Sequence, residues 1–306
     1  MAIVNTDTPI TSASCDAMIR EIVETYPFAR SELLASSAFQ RPIRTLVIGN
    51  GPRKVIFTAA HHANEWITAL VLLKYAEELC VAITENGRVG DTDAQTIADT
   101  ATIYMVPMVD PDGVDLVVGA IQPGEIQYEA ARHLAENYPN IPFPDGWKAN
   151  LLGVDLNLQY PAGWLQAREI KFSQGFTRPG PRDYVGRAPL DQLESRALAG
   201  YTEYIDPALV LAYHTQGKVI YWQFRDYDIP GARELGEKMA QASGYSLEDT
   251  PFESSFAGYK DWFIQNFRRP GYTIEVGLGE NPLPLSQFDE IYRDNVGILN
   301  IAAVGQ

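Results

Sequence analysis

A chain of 306 residues with 46% apolar content can bury a substantial core, and its formal charge of −15, with a pI near 4.7, argues against nucleic acid or an anionic membrane as partner. No apolar stretch approaches transmembrane length, and Met-Ala-Ile-Val-Asn-Thr-Asp has neither the basic start nor the apolar run of a secretory signal. With Met1 as the natural start, the expectation is a cytoplasmic protein of one domain over residues 1–306, in which 1–40 form a helical lead-in.

In chain order, Ser12 or Ser14 caps a first helix running to about Tyr26. Strands are predicted near Thr45–Gly49 and Val55–Thr58, then a long helix from about Trp66 to Ile83. Its apolar stripe (Ala69, Leu72, Leu73, Ala76, Leu79, Ile83) includes Cys80, which therefore reads as core; two cysteines are too few for a disulfide framework. A strand follows at Thr102–Pro107. From Asp110 to Pro189 the chain is rich in Pro, Gly and aromatics with little periodicity, as expected for the wall of a substrate cleft or for surface loops. Within it, Glu129–Glu136 reads as a solvated helix face carrying His133. Leu190–Ile205 reads as a helix, Pro207–Tyr213 as a buried strand and Lys218–Phe224 as its neighbour. Helices near Pro230–Ser243 and Ser286–Ala303 flank a strand within Gly271–Gly277. Strands alternating with helices predict an α/β fold with a mixed, largely parallel sheet covered on both faces.

The chemistry-bearing residues fall at strand ends. Ala60-His-His-Ala-Asn-Glu-Trp66 lies between an apolar strand and an apolar helix, so His62 and Glu65 can converge on one point. Of the four histidines, His61 beside His62 must point elsewhere if the backbone is extended, and His133 belongs to the solvated face. His214 ends a buried strand, where open α/β sheets build their sites. Two histidines and a carboxylate suit a catalytic zinc with a fourth position for water. Glu275, a carboxylate inside the strand-like Thr-Ile-Glu-Val run, is a candidate general base; an edge-strand Glu facing water is the competing reading.

Taken together, His62-x-x-Glu65, Gly153-Val-Asp-Leu-Asn157, His214 and Glu275 resemble, in this order, the zinc carboxypeptidase family (carboxypeptidase A-like), over roughly residue 40 to the C-terminus. Within it, His-Ala-Asn-Glu-Trp-Ile-Thr, Trp147-Lys-Ala-Asn150, Tyr213-His-Thr-Gln-Gly217 and Gly258-Tyr-Lys-Asp-Trp-Phe263 look most like the bacterial γ-D-glutamyl-L-diamino acid endopeptidases. Those enzymes cut peptidoglycan stem peptides between γ-D-glutamate and meso-diaminopimelate. The resemblance implies one zinc ion per chain on His62, Glu65 and His214, with Glu275 as base and a peptidoglycan-derived peptide as substrate. It further implies that Asp155 orients the His62 ring, where an Asx-turn is the alternative, and that Asn157 lines the substrate site. Lys148 falls where the family carries an arginine that stabilises the oxyanion, a surface lysine being the alternative.

The family's active-site tyrosine has no counterpart in register; Glu253 stands near the expected place and Tyr259 lies out of register. Two departures bear on specificity. Leu158 replaces the arginine with which carboxypeptidases of the family clamp a terminal carboxylate. Lys260, two residues before Trp262, occupies a position that sets side-chain preference, and a cation there suits the far carboxylate of diaminopimelate unless it points to solvent. A carboxypeptidase trimming free C-termini and a non-catalytic binding protein of the same fold are the competing functions.

Overall fold

In chain order the elements are helix α1 (Ser12–Thr25), strands β1 (Arg30–Ser36), β2 (Pro42–Ile48) and β3 (Arg53–Thr58), helix α2 (Ile67–Glu85), the short strands β4 (Arg88–Val89) and β5 (Thr92–Asp93), helix α3 (Ala94–Thr100) and strand β6 (Ala101–Val106). Helices α4 (Pro111–Val117), α5 (Ile126–Ala135), α6 (Trp164–Ser173) and α7 (Leu193–Ile205) follow, then β7 (Leu209–His214), β8 (Val219–Tyr221), α8 (Ala232–Ser243), β9 (Ser246–Glu248), α9 (Tyr259–Phe267), β10 (Gly271–Glu275) and α10 (Phe288–Val304). This computed structural model describes residues 2–305.

Eight strands form one sheet in the order β1-β2-β6-β3-β7-β10-β8-β9. The central run β6-β3-β7-β10 is parallel, while β1, β2 and β8 pair antiparallel with their inner neighbours. Parallel pairing needs crossover helices, which cover both faces and turn the central strands into continuous apolar runs. Every residue of β6 and β7 is buried. Side chains alternate between two cores. Val55, Phe57, Leu209, Leu211 and Tyr213 face the layer holding α2, α8 and α10. Ile56, Val210 and Ala212 face the one holding α7 and α9. Helix α2 is apolar almost all round because the sheet and α10 enclose it, and it ends where Asn86 turns left-handed (φ 52).

Several expectations need correction. Residues 1–40 are more than a helical lead-in: Arg30–Ser36 supplies the edge strand, paired with β2 from Arg30↔Val47 to Ser36↔Pro42. Its residues are exposed or half-buried without clean alternation, so no period-2 pattern marks it. The stretch 110–189 is less irregular than its composition suggests, for it holds α4, α5 and α6. Helix α4 begins at Asp110-Pro111, where the Asp110 side chain accepts from Gly113 N at 2.9 Å and proline occupies the first turn. Both cysteines are free and buried, and among the described residues no helix is long and apolar enough to cross a membrane.

Candidate metal centre and substrate cleft

Strands β3, β7 and β10 lie side by side, with Thr58 opposite Ala212 and His214 opposite Glu275. Beyond β3 the chain passes through Ala59–His62 into a 3-10 turn, Ala63–Glu65, before α2 begins. Thr68 ties that connection down: its hydroxyl donates to Glu65 O at 2.7 Å and accepts from Ala60 N at 3.0 Å. His62 and Glu65 are thereby brought to the tip of β7, which carries His214.

The three side chains are buried and their donor atoms converge. His62 Nδ1 is 2.9 Å from Glu65 Oε1, His214 Nδ1 is 2.9 Å from Glu65 Oε2, and the two Nδ1 atoms are 3.2 Å apart. Three such atoms lie within 4.8 Å of one another. A tetrahedral zinc with bonds of about 2.0–2.1 Å sets its donors roughly 3.3 Å apart, so both the spacing and the nitrogen–nitrogen–oxygen set fit that ion. His61, also buried, turns away; its ring stacks on His214 and its Nε2 is 3.3 Å from the Tyr160 hydroxyl. His133 is exposed on α5 beside Glu136.

Asp155 fills both of the roles weighed for it. Its Oδ1 lies 3.1 Å from His62 Nε2, which fixes the tautomer that leaves Nδ1 as a lone-pair donor, and it also accepts from Asn157 N at 3.1 Å in an Asx-turn. Burial opposes a charge on His62, but the Glu65 and Asp155 carboxylates outweigh it and raise the ring to about 9. A metal ion would therefore have to displace a proton there. Burial also opposes ionisation of Glu65, yet His62, Lys148 and His214 hold its carboxyl well below the usual range.

Lys148 is no surface lysine. Its side chain is mostly buried and Nζ lies 2.8 Å from Glu65 Oε1. Glu275 opens on the cleft at the end of β10; burial, and after it the Glu65 carboxylate, push its carboxyl up to about 8. Asn157 lines the same cleft while its Oδ1 accepts from Tyr259 N at 3.0 Å. Tyr259 itself is fully buried, bonded to Thr202 at 2.8 Å, and Glu253 is exposed.

Lys260 lines the cleft, but its ammonium is occupied. Nζ donates to Gln223 O at 2.6 Å and Thr250 Oγ1 at 3.2 Å, and lies 2.7 Å from Asp261 Oδ1. Two of its protons are donated to these acceptors and Asp261 balances its charge, so a substrate carboxylate at this position would compete with protein partners. Leu158 is buried within the aromatic cluster of Tyr160, Tyr259 and Trp262 and also lines the cleft.

The cleft encloses about 950 Å³. Its lining also holds a group that sequence reasoning missed. Lys171 Nζ is 2.7 Å from Asp183 Oδ1, Arg182 Nε is 2.5 Å from Asp183 Oδ2, and Asp183 N donates to Asp155 Oδ2 at 3.3 Å. In sequence Arg182 and Asp183 end Pro179-Gly-Pro-Arg-Asp183, which reads as a turn, while Lys171 comes from α6. The one available signal is a local run of cations, Arg168, Lys171, Arg178, Arg182 and Arg187, in an otherwise acidic chain.

Comparison with known proteins agrees with this geometry. The family described as zinc carboxypeptidase matches residues 15–297. The gamma-D-glutamyl-L-diamino acid endopeptidase 1 of Lysinibacillus sphaericus is 40% identical over 283 residues, 92% of this chain and 68% of that protein. Carboxypeptidase A from Helicoverpa armigera superposes with a TM-score of 0.71 at 18% identity, covering 98% of this chain and 73% of that one. The murein-tripeptide amidase MpaA of Escherichia coli O157 superposes with a TM-score of 0.54 at 19% identity over 88% and 91%.

Proposed function

The chain belongs to the zinc carboxypeptidase family and is a zinc metallopeptidase, and from that premise we propose that it hydrolyses the amide between a γ-D-glutamyl residue and an L-diamino acid such as meso-diaminopimelate in peptidoglycan-derived peptides. The observation that carries this reading is Leu158. Where a carboxypeptidase needs a cation to seat a terminal α-carboxylate, this cleft presents a buried alkyl group, and an unpaired carboxylate is costly to bury. The 40% identity to an endopeptidase of that specificity supports the same bond.

In this reading His62, Glu65 and His214 hold one zinc ion, and residues 1–306 act as one peptidase domain. When bound, the ion lowers the pKa of water from 15.7 to about 7 and polarises the scissile carbonyl. Glu275 takes the proton of the attacking water and delivers it to the leaving amine, from the end of β10 beside His214. Lys148 supplies positive charge to the developing oxyanion, without the planar fork of an arginine. Asp155 holds the His62 ring, and Asn157 positions the peptide.

Incubation with L-Ala-γ-D-Glu-meso-diaminopimelyl-D-Ala, in which the diaminopimelate carboxyl next to the scissile amide is itself in amide linkage, followed by mass spectrometry, should give L-Ala-γ-D-Glu and meso-diaminopimelyl-D-Ala, with little release of Phe from hippuryl-Phe. Efficient release of C-terminal Phe, with the γ-glutamyl bond left intact, would transfer the function to a carboxypeptidase.

A further inference from the structure

Arg182 differs from the other cations around the cleft. Lys148 N and Ala149 N both donate to Pro181 O, at 2.7 and 2.9 Å, which fixes the next residue against the wall that carries Lys148. Lys148 faces Glu65, Lys171 faces Asp183, and Lys260 faces Asp261 while donating to Gln223 O. The Arg182 guanidinium spends only Nε on the protein; Nη1 and Nη2 bond to no described residue, and the side chain, 43% exposed, lines the cleft. Asp183 is shared between Arg182 and Lys171, so the outer edge of Arg182 has no carboxylate partner among the described residues. A planar pair of donors with nothing opposite matches a carboxylate bidentately.

Its location identifies which carboxylate. In the reading above, Leu158 and Lys260 answer to the amine side of the scissile bond and Lys148 to its carbonyl oxygen, and the bond from Lys148 N to Pro181 O holds Arg182 beside Lys148. A glutamyl residue linked through its γ-carboxyl keeps a free α-carboxylate, separated from the scissile carbonyl by three carbon atoms. We propose that Arg182 receives this α-carboxylate and makes the enzyme selective for γ-glutamyl residues that carry it over those in which it is amidated. The inference rests on the γ-glutamyl reading of the preceding subsection and names the residue that would enforce it.

Two peptides test it: L-Ala-γ-D-Glu-meso-diaminopimelyl-D-Ala and the same peptide with the glutamyl α-carboxylate as its amide. Charge-assisted pairing predicts that the wild type prefers the acid by roughly 10- to 100-fold in KM. Arg182→Gln should raise KM for the acid by the same factor, with kcat nearly unchanged, and leave KM for the amide as it was. Arg182→Lys, which keeps the charge and loses the fork, should recover part of the loss. Binding of the acid to zinc-loaded Glu275→Gln, measured by calorimetry, should weaken in parallel when Arg182→Gln is added. Equal losses on both peptides, or none, would overturn the role of Arg182 while leaving the γ-glutamyl reading intact. A wild type that cleaves neither peptide would overturn both.

Discussion

Replacing Gly113 by alanine adds one methyl group at the closest contact between α4 and the metal-binding turn. A Cβ built there would stand 2.2 Å from Asp110 Oδ2, 2.6 Å from Ala149 O and 2.8 Å from Ala63 Cβ, all inside the 3.0 Å that real Cβ atoms respect. None of the three can yield alone. Asp110 caps the helix through Gly113 N, Ala149 is bonded to Pro181, and Ala63 N donates to Lys148 O at 3.1 Å. Either α4 retreats, pulling Asp112 and Asp115 from Arg41, or the Ala63–Glu65 turn shifts and takes a metal ligand with it. Overpacking of this kind costs about 1–3 kcal/mol, against up to ~1 kcal/mol recovered from the better helix propensity of alanine. Gly200 in α7 is the control, because a methyl there meets nothing within 4 Å and should stabilise by up to ~1 kcal/mol. Urea unfolding of the metal-free variants, with a zinc titration of each, separates the outcomes. Gly113→Ala should unfold at lower urea and bind zinc roughly 10-fold more weakly, the lower end of what displaced supporting contacts cost. If both alanine variants gain stability alike and bind zinc as the wild type does, the close-packing argument fails.

Alanine at His62, Glu65 or His214 should abolish zinc binding or weaken it greatly by elemental analysis, whereas His61→Ala should retain the metal; the reverse pattern would shift the ligand assignment by one residue. Glu275→Gln should keep zinc and substrate affinity while kcat falls by ~10²–10⁴, and near-normal turnover would remove Glu275 from the reaction. Asp110 gives a prediction about pH. Burial, then the charge of Glu194, raise its carboxyl well above the ordinary 3.8, so the folded chain holds a proton that the unfolded chain releases. That contribution is whole below about pH 3.8 and is lost as pH rises toward the folded value. Asp110→Asn stays neutral, so its unfolding free energy by urea should decline less than the wild type's from pH 5 to 8; parallel curves would contradict the assignment.

What could be read from the sequence followed burial. Strands β3, β6, β7 and β10 are covered on both faces, so their apolar runs stand out at once. Strand β1 is held by backbone pairing to β2, which leaves no side-chain pattern to detect. In α4, Asp110-Pro-Asp-Gly113 spells a turn and a helix start equally well, and packing against the Ala63–Glu65 turn decides between them. The same limit applies to the site. Residue types at strand ends suggest His62, Glu65, His214 and Glu275, because few other groups can do that chemistry. Whether a cation is spent or available depends on partners far away in sequence. Lys260 meets Gln223 O, 37 residues earlier, while the outer edge of Arg182 meets nothing, and no local pattern distinguishes them.

The placement of β7 between β3 and β10 has a consequence for synthesis. His214 Nδ1 and His62 Nδ1 are brought together across 152 residues, so a growing chain that has not yet reached β7 carries His62 and Glu65 without the third group of the site. Pairing at such separations forms late, after the loop-closure entropy has been met. A complete ligand set therefore requires that pairing, and an ion held by all three groups would favour the folded chain and so stabilise the middle of the sheet once it is in register.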